Sequence, residues 1–403
     1  MNQPVSARHS TFLLVLAFIG FISLGLPDAV IGVAWPSVRD TFRLRQEAIA
    51  LVLVISGIGY LASSFLAGRL MQSMGIGLVL AASTGLVSAA MFGFAYSPLW
   101  IAFLCCAWVH GMGSGAIDSG LNGYAAHHMS TRSLIWLHAC YCFGALIGPV
   151  LMSSILASGR HYSAGYASVG GIMLAMSVLF LITFRSWGEI SSPSTPESPA
   201  EPKAPPVRPR VALKYAAVWL QMAVFFLYTG LEVTFSQWTY TVLTESRHVS
   251  PVTAGIAVGV YWGCIGVGRI ISGMIADRVG IDRLLRCCLL CAGSGAILMA
   301  SRFPVEVAFL GISLVGLGLA PVFPCLMSRT PRRLGTQISA HAIGFQVGAA
   351  MIGAAVVPGT LGLFAGIGGL EMVPLGTVVL FGLLGFLHER LLCFPDVGTS
   401  NPS

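Results

Sequence analysis

Twelve stretches of about 20 apolar residues follow one another along this chain, and that is the length a helix needs to cross a hydrocarbon layer. They lie near 11–36, 47–71, 75–96, 98–122, 133–157 and 165–184, then 213–240, 252–276, 283–301, 304–328, 336–362 and 369–392. In lipid a backbone has no water to bond, so each run must satisfy its own N–H and C=O groups as a helix. Charge is too scarce for an aqueous surface: 9% of residues are Asp, Glu, Lys or Arg, and 56% are hydrophobic. The predicted fold is an all-α membrane protein with twelve transmembrane helices. The first run is too long for a signal-peptide core and lacks a small-residue cleavage pattern, so it reads as a retained helix.

One long polar interruption divides the chain. Rich in Pro, Ser and Glu and closed by basic residues, it cannot bury a core and is expected to be a cytoplasmic linker. The expected organisation is a six-helix bundle over 1–184, the linker over 185–212 and a second six-helix bundle over 213–403. The halves resemble each other at an offset of about 204 residues. Asp28 aligns with Glu232 and Trp35 with Trp238 to within one position. Gly68 to Gly75 corresponds to Gly273 to Gly280, and His138, Gly144 and Gly148 correspond to His341, Gly348 and Gly353. Parallel six-helix repeats place a solute site between them, near the bilayer midplane.

Most of the 22 Lys and Arg fall on one side if both termini are cytoplasmic, as the positive-inside rule requires. The net charge of +7 then reports topology, with no nucleic-acid partner implied. A multi-pass protein of the plasma membrane (the inner membrane in a bacterium) is expected. Arg39, Arg43 and Arg45 in the first external loop are exceptions.

Three acids interrupt the apolar runs: Asp28, Asp118 and Glu232. An acid at a membrane helix centre costs about 2.5–3.5 kcal/mol on insertion scales, which a proton can relieve. A membrane carboxyl that prefers its proton is what a proton-coupled carrier needs, although each acid could instead bond to backbone or a neighbouring helix. Asn122, one turn after Asp118 on the same face, is a candidate for binding hydroxyls. Gln237, Gln346, Tyr228 and Trp238 have the chemistry of a sugar site, and His138 either lines it or bridges two helices. The ten cysteines read as small packing residues rather than metal ligands. No P-loop, nucleophile elbow or zinc signature suggests an enzyme or an ATP-driven pump, and no cofactor or metal is expected beyond a coupling ion.

These residues bring a family into view. Gly25-Leu-Pro-Asp28 through Trp35-Pro36, Gly115-Ala-Ile-Asp118 through Asn122, His138 through Gly148-Pro149, Tyr228-Thr-Gly230-Leu-Glu232, Gly268-Arg269 and Ala320-Pro321-Val-Phe-Pro324 resemble one carrier group. It is the fucose–galactose–glucose:proton symporter group of the major facilitator superfamily. The resemblance implies two six-helix bundles and proton-coupled sugar uptake by a monomer. It implies coupling roles for Asp28 and Asp118, with Asp118 standing where Glu is usual, and a cavity-facing role for Glu232. Gly273, Asp277, Arg278 and Gly280 resemble the superfamily's loop signature and imply a cytoplasmic gate. The first-half copy has Gln72 in place of the acid. Arg269 is expected to snorkel to the cytoplasmic face rather than bind solute. Sodium coupling, a proton-antiporting exporter of drugs or metabolites, and a non-transporting sensor on a carrier fold remain open alternatives.

Overall fold

The computed structural model describes residues 7–129, 131–187, 209–302 and 304–394. Twelve helices in it are long and apolar enough to cross a membrane. They are α1 (Phe12–Phe42), α2 (Gln46–Met74), α3 (Ile76–Tyr96), α4 (Trp100–Ala125), α5 (Trp136–Ala157) and α6 (Tyr162–Ile182), then α7 (Ala216–Ser246), α8 (Pro251–Val279), α9 (Ile281–Ala300), α10 (Val305–Leu334), α11 (His341–Gly368) and α12 (Met372–Leu392). Most of the expected linker, 188–208, lies outside the described residues.

Two helices run further than hydropathy suggests. The expected ends near 36 and 240 are passed by α1, to Phe42, and by α7, to Ser246. Polar residues such as Arg39, Asp40 and Glu245 end a hydropathy window, yet a helix continues wherever those side chains find partners. Arg39 donates to both carboxylate oxygens of Glu245, at 2.9 and 3.1 Å. Beyond that pair Arg43 closes α1 with a left-handed φ of 52°, and α7 closes through a π turn over Val242–Ser246. Pro27 and Pro36 both lie inside α1, and the helix is interrupted at Ala29. The Pro27 ring removes a helical N–H and opens the ladder there, immediately beside Asp28.

The packing scheme repeats. Within the first half α1 lies on α5, α2 on α4, and α3 on both α4 and α6. Within the second α7 lies on α11, α8 on α10, and α9 on both α10 and α12. Between halves α2 meets α11, α5 meets α8, and α1 meets α7. Exchanging the halves leaves this scheme unchanged, so two pseudo-repeat bundles form the molecule. Dispersion rather than the hydrophobic effect holds such helices together in lipid, which favours small residues at the crossings. Gly25 shows this directly, since a Cβ there would overlap the Tyr141 carbonyl of α5.

The end remote from the chain termini is closed. Besides the Arg39–Glu245 pair, Gln46 donates to Glu245 at 3.2 Å, Gly32 lies against Ser236 and Gln237, and Gly359 lies against Ala50. Toward the termini the halves part: Gly68 on α2 and Gly344 and Gly348 on α11 have no neighbouring atom within 4 Å of a Cβ position. A second tie, within the second half, joins Arg247 to Glu371 through two bonds of 2.8 and 3.0 Å, with Ser246 donating at 2.7 Å.

Two outcomes follow. Gly25→Leu is expected to destabilise the purified protein by about 1–3 kcal/mol through overpacking, whereas Gly68→Leu leaves its thermal midpoint nearly unchanged. Glu371 lies between α11 and α12. Burial raises its carboxyl pKa, but bonds from Arg247 and Ser246 outweigh that and hold it below the usual glutamate range. Its stabilisation is therefore full above that range and is lost as pH falls through the depressed folded value. A pH series of thermal midpoints will show an acid-side decline that Glu371→Gln flattens.

Candidate functional site

Asp28 ends the first segment of α1, at the break Pro27 opens, so its carboxylate projects from a loosened turn into the bundle. Tyr141 of α5 donates its hydroxyl to Oδ2 at 3.0 Å, and Nε2 of His110 on α4 lies 3.6 Å from Oδ1. His110 Nδ1 in turn is 3.2 Å from the Ser56 hydroxyl of α2. Asp118 on α4 accepts from Tyr60 of α2 at 2.5 Å and from the Asn122 amide, one turn on, at 2.8 Å. The two aspartates lie within electrostatic reach of one another, and Tyr60 lies within reach of both. Four helices of the first half thus converge on Asp28 and Asp118, through hydrogen bonds from Tyr141, Tyr60 and Asn122 and a longer 3.6 Å contact from His110.

Glu232, in the middle of α7, meets its cation in Arg269 of α8, with Nη2 3.5 Å from Oε1. The other terminal nitrogen of Arg269 reaches the Cys142 sulfur of α5 at 3.7 Å, and its Nε is buried without a partner. Tyr261 donates to the Glu232 carbonyl at 2.9 Å and Trp262 to the Ser236 hydroxyl at 3.1 Å. The Tyr141 ring sits edge-on to Trp262, centroids 5.7 Å apart. Tyr141 and Arg269 therefore connect the two halves at the level of the acids. With all three acids ionised, one guanidinium faces three carboxylates. In a low dielectric that excess negative charge demands protons or bound cations.

The sequence-picked residues separate into groups. Asp28, Asp118 and Asn122 share the first-half set, and Glu232 faces it across Tyr141. His138 packs edge-on against Phe21, centroids 5.4 Å apart, within electrostatic range of Arg269. Gln237 is buried at the α1–α7 closure, backbone against Gly32, with Oε1 unpartnered. Trp238 donates to the Pro358 carbonyl at 3.0 Å and fills the space beside Gly362, fastening α7 to α11. Gln346 is fully buried and donates to Gln221 at 2.8 Å and to Thr330 at 3.1 Å, joining α11 to α7 and α10. Gly273, Asp277, Arg278 and Gly280 lie exposed where α8 ends, and Gly280 turns the chain with a φ of 83°. The ion pair at that corner is formed by Asp282 with Arg329, at 3.0 Å. Arg269 does not snorkel. It turns inward because Glu232 and Cys142 offer it partners that lipid does not.

Tyr60, His110 and Tyr141 escaped the sequence reading. Their signal is faint: Ser56 and Tyr60 sit four apart on α2, and His110 stands alone in an apolar α4.

The protein-family model described as Major Facilitator Superfamily matches residues 16–358 and, separately, 240–395. The chain belongs to that superfamily. Membership of that superfamily makes the chain a membrane transporter rather than an enzyme. The chain is 23% identical over 413 residues to bypass of stop codon protein 6 of Saccharomyces cerevisiae, covering 94% of this chain and 82% of that protein. It is 22% identical over 417 residues to human sodium-dependent glucose transporter 1, covering 93% and 77%. The crystal structure of the E. coli fucose:proton symporter FucP has the same fold, with a TM-score of 0.64 at 16% identity, covering 95% of this chain and 99% of its own.

Removing one member of the Glu232–Arg269 pair strands a buried charge. Arg269→Gln should cost toward the lower end of the roughly 3–5 kcal/mol typical of a broken buried pair, given its 3.5 Å separation. Adding Glu232→Gln should recover most of that loss, so a double-mutant cycle on thermal midpoints measures the coupling.

Proposed function

We propose that this protein is a proton-coupled symporter that moves a sugar or similar hydroxylated solute into the cell by alternating access. One observation carries the reading. Among the described residues, Asp28 and Asp118 are held by hydroxyl, amide and imidazole groups with no Lys or Arg partner, while Glu232 has Arg269. A carboxylate in a low dielectric without a cation is most stable when protonated. The proton sites are therefore Asp28 and Asp118, with Tyr60 and Tyr141 as hydrogen-bonding partners that orient the proton and His110, 3.6 Å from Asp28, as a nearby imidazole that passes it.

Asn122, Gln237, His138 and Glu232 supply hydrogen bonds to solute hydroxyls, and Trp262 offers an aromatic face for the C–H side. Trp238 and Gln346, already committed to helix packing, leave the proposed solute set. Similar proteins named as a glucose transporter and a fucose symporter support a hydroxylated solute. With the termini cytoplasmic in the plasma membrane, the closed end faces outward and the conformation is inward-facing. Solute entry requires the Arg39–Glu245 tie to part while the opposite end draws together. Protonated aspartates lower the cost of carrying the loaded site through that change. The membrane potential contributes about 2.3 kcal/mol per charge per 100 mV. Sodium coupling is the second reading, favoured by the human relative's name and by carboxylates flanked by Tyr and Asn oxygens.

Proteoliposomes offered glucose, mannose and fucose under an inward proton gradient should accumulate one of them. Asp28→Asn and Asp118→Asn should each reduce accumulation at least about tenfold while preserving solute exchange at equal concentrations, because binding survives and coupling does not. Accumulation that follows a sodium gradient and ignores pH would overturn proton symport.

A further inference from the structure

The two halves differ sharply at equivalent corners. In the first half the turn after α2 uses Gly75, with a φ of 75°, and in the second the turn after α8 uses Gly280, with a φ of 83°. The backbone solution is the same, but the surroundings are not. Beside the first turn, Trp187 and Phe184 lie close over Gly77, and Trp187 meets Tyr124 edge-on at 5.2 Å. The corner is filled by an aromatic plug. Beside the second turn there is instead a cavity of about 380 Å³, lined by Val279, Gly280, Ile281, Asp282, Arg283, Arg329 and Arg332. At the repeat offset set by Gly75 and Gly280, Leu78 and Tyr124 stand where Arg283 and Arg329 stand.

The fold therefore does not demand this charge, and the positive-inside rule, which places arginines on a side, does not demand a concavity. Arg283 comes from the first turn of α9, while Arg329 and Arg332 come from one face of α10, three residues apart. Asp282 bonds Arg329 at 3.0 Å and offsets one of the three guanidiniums. Arg283 and Arg332 are exposed at the rim. The lining also includes the start of α9, a 20-residue helix whose first N–H groups favour an anion. Planar guanidinium forks lining one cavity with a helix N-terminus suit phosphate oxygens, which take bidentate bonds. Phe394, the last described residue, packs with Val218, Leu334 and Ala342.

We propose that this cavity binds the phosphate of an anionic phospholipid headgroup at the membrane surface on the side of the termini. Basic pockets between transmembrane helices on that side are suited to such headgroups. The corner also carries Asp277 and Arg278, so a bound headgroup would brace the α8–α9 turn against α10.

The test uses the full-length purified protein and phosphatidylglycerol. Lipid retention, counted by native mass spectrometry, and thermal midpoints are measured against added phosphatidylglycerol, phosphatidylcholine or inorganic phosphate. Wild type should retain and be stabilised by phosphatidylglycerol but not phosphatidylcholine. Arg283→Gln/Arg332→Gln should bind it roughly 25-fold more weakly, about fivefold for each arginine lost. Arg69→Gln/Arg210→Gln, which removes the same charge elsewhere on that side, should bind as wild type does. Equal midpoints of the variants in phosphatidylcholine establish that they are folded, and Arg332→Gln alone serves if the double variant is not. Phosphatidylglycerol binding that is unchanged in the cavity variant, or equal loss in the control, overturns the site. Inorganic phosphate stabilising wild type as well as the lipid overturns the lipid as occupant.

Discussion

An ionised carboxylate survives in the hydrocarbon layer only beside a cation, a full set of hydrogen-bond donors, or its own proton, and the three acids of this chain divide along those lines. Glu232 has a guanidinium. Asp28 and Asp118 have hydroxyls, an amide and an imidazole. Much of the first-half packing serves that arrangement. The Tyr141 hydroxyl reaches Asp28 because α1 and α5 touch backbone to backbone at Gly25, Gly144 and Gly148. Pro27 loosens the same turn of α1, leaving Asp28 at a break rather than in a continuous helix.

The same economy of contacts shapes the closure. The halves meet through symmetric seams, α2 with α11 and α5 with α8, packed at the end remote from the termini and open on the other side of α2 and α11. Small residues at these seams permit sliding without a large loss of apolar burial, since lipid replaces helix as neighbour at little cost. Polar ties supply what dispersion cannot, a specific stop. Arg39 with Glu245 joins the halves, and Arg247 with Glu371 steadies the end of α7 that carries Glu245.

The architecture was legible because hydrocarbon imposes a length and an apolar run on every crossing, and twelve such runs stand in the sequence. Helix ends were less so: hydropathy ends where charge begins, whereas Arg39 and Glu245 extend α1 and α7 by pairing with each other. Of the site, the acids announced themselves by their cost. Their partners did not, since Tyr60, His110 and Tyr141 are unremarkable in composition and acquire meaning only when α2, α4 and α5 are brought around Asp28 and Asp118. Trp238 and Gln346 have sugar-binding chemistry, yet Pro358, Gln221 and Thr330 consume it. Arg269 was misread for a related reason, because no local pattern reveals a partner 37 residues away on α7.

The central claim is that Asp28 and Asp118 carry protons together with solute. The most direct test adds the transported sugar to lightly buffered, sodium-free proteoliposomes at zero membrane potential and follows external pH with an electrode. The account predicts prompt alkalinisation outside as sugar enters, absent when Asp28 and Asp118 are both Asn although sugar still binds. Sugar entry without any pH change, or entry that begins only when sodium is supplied, would contradict it.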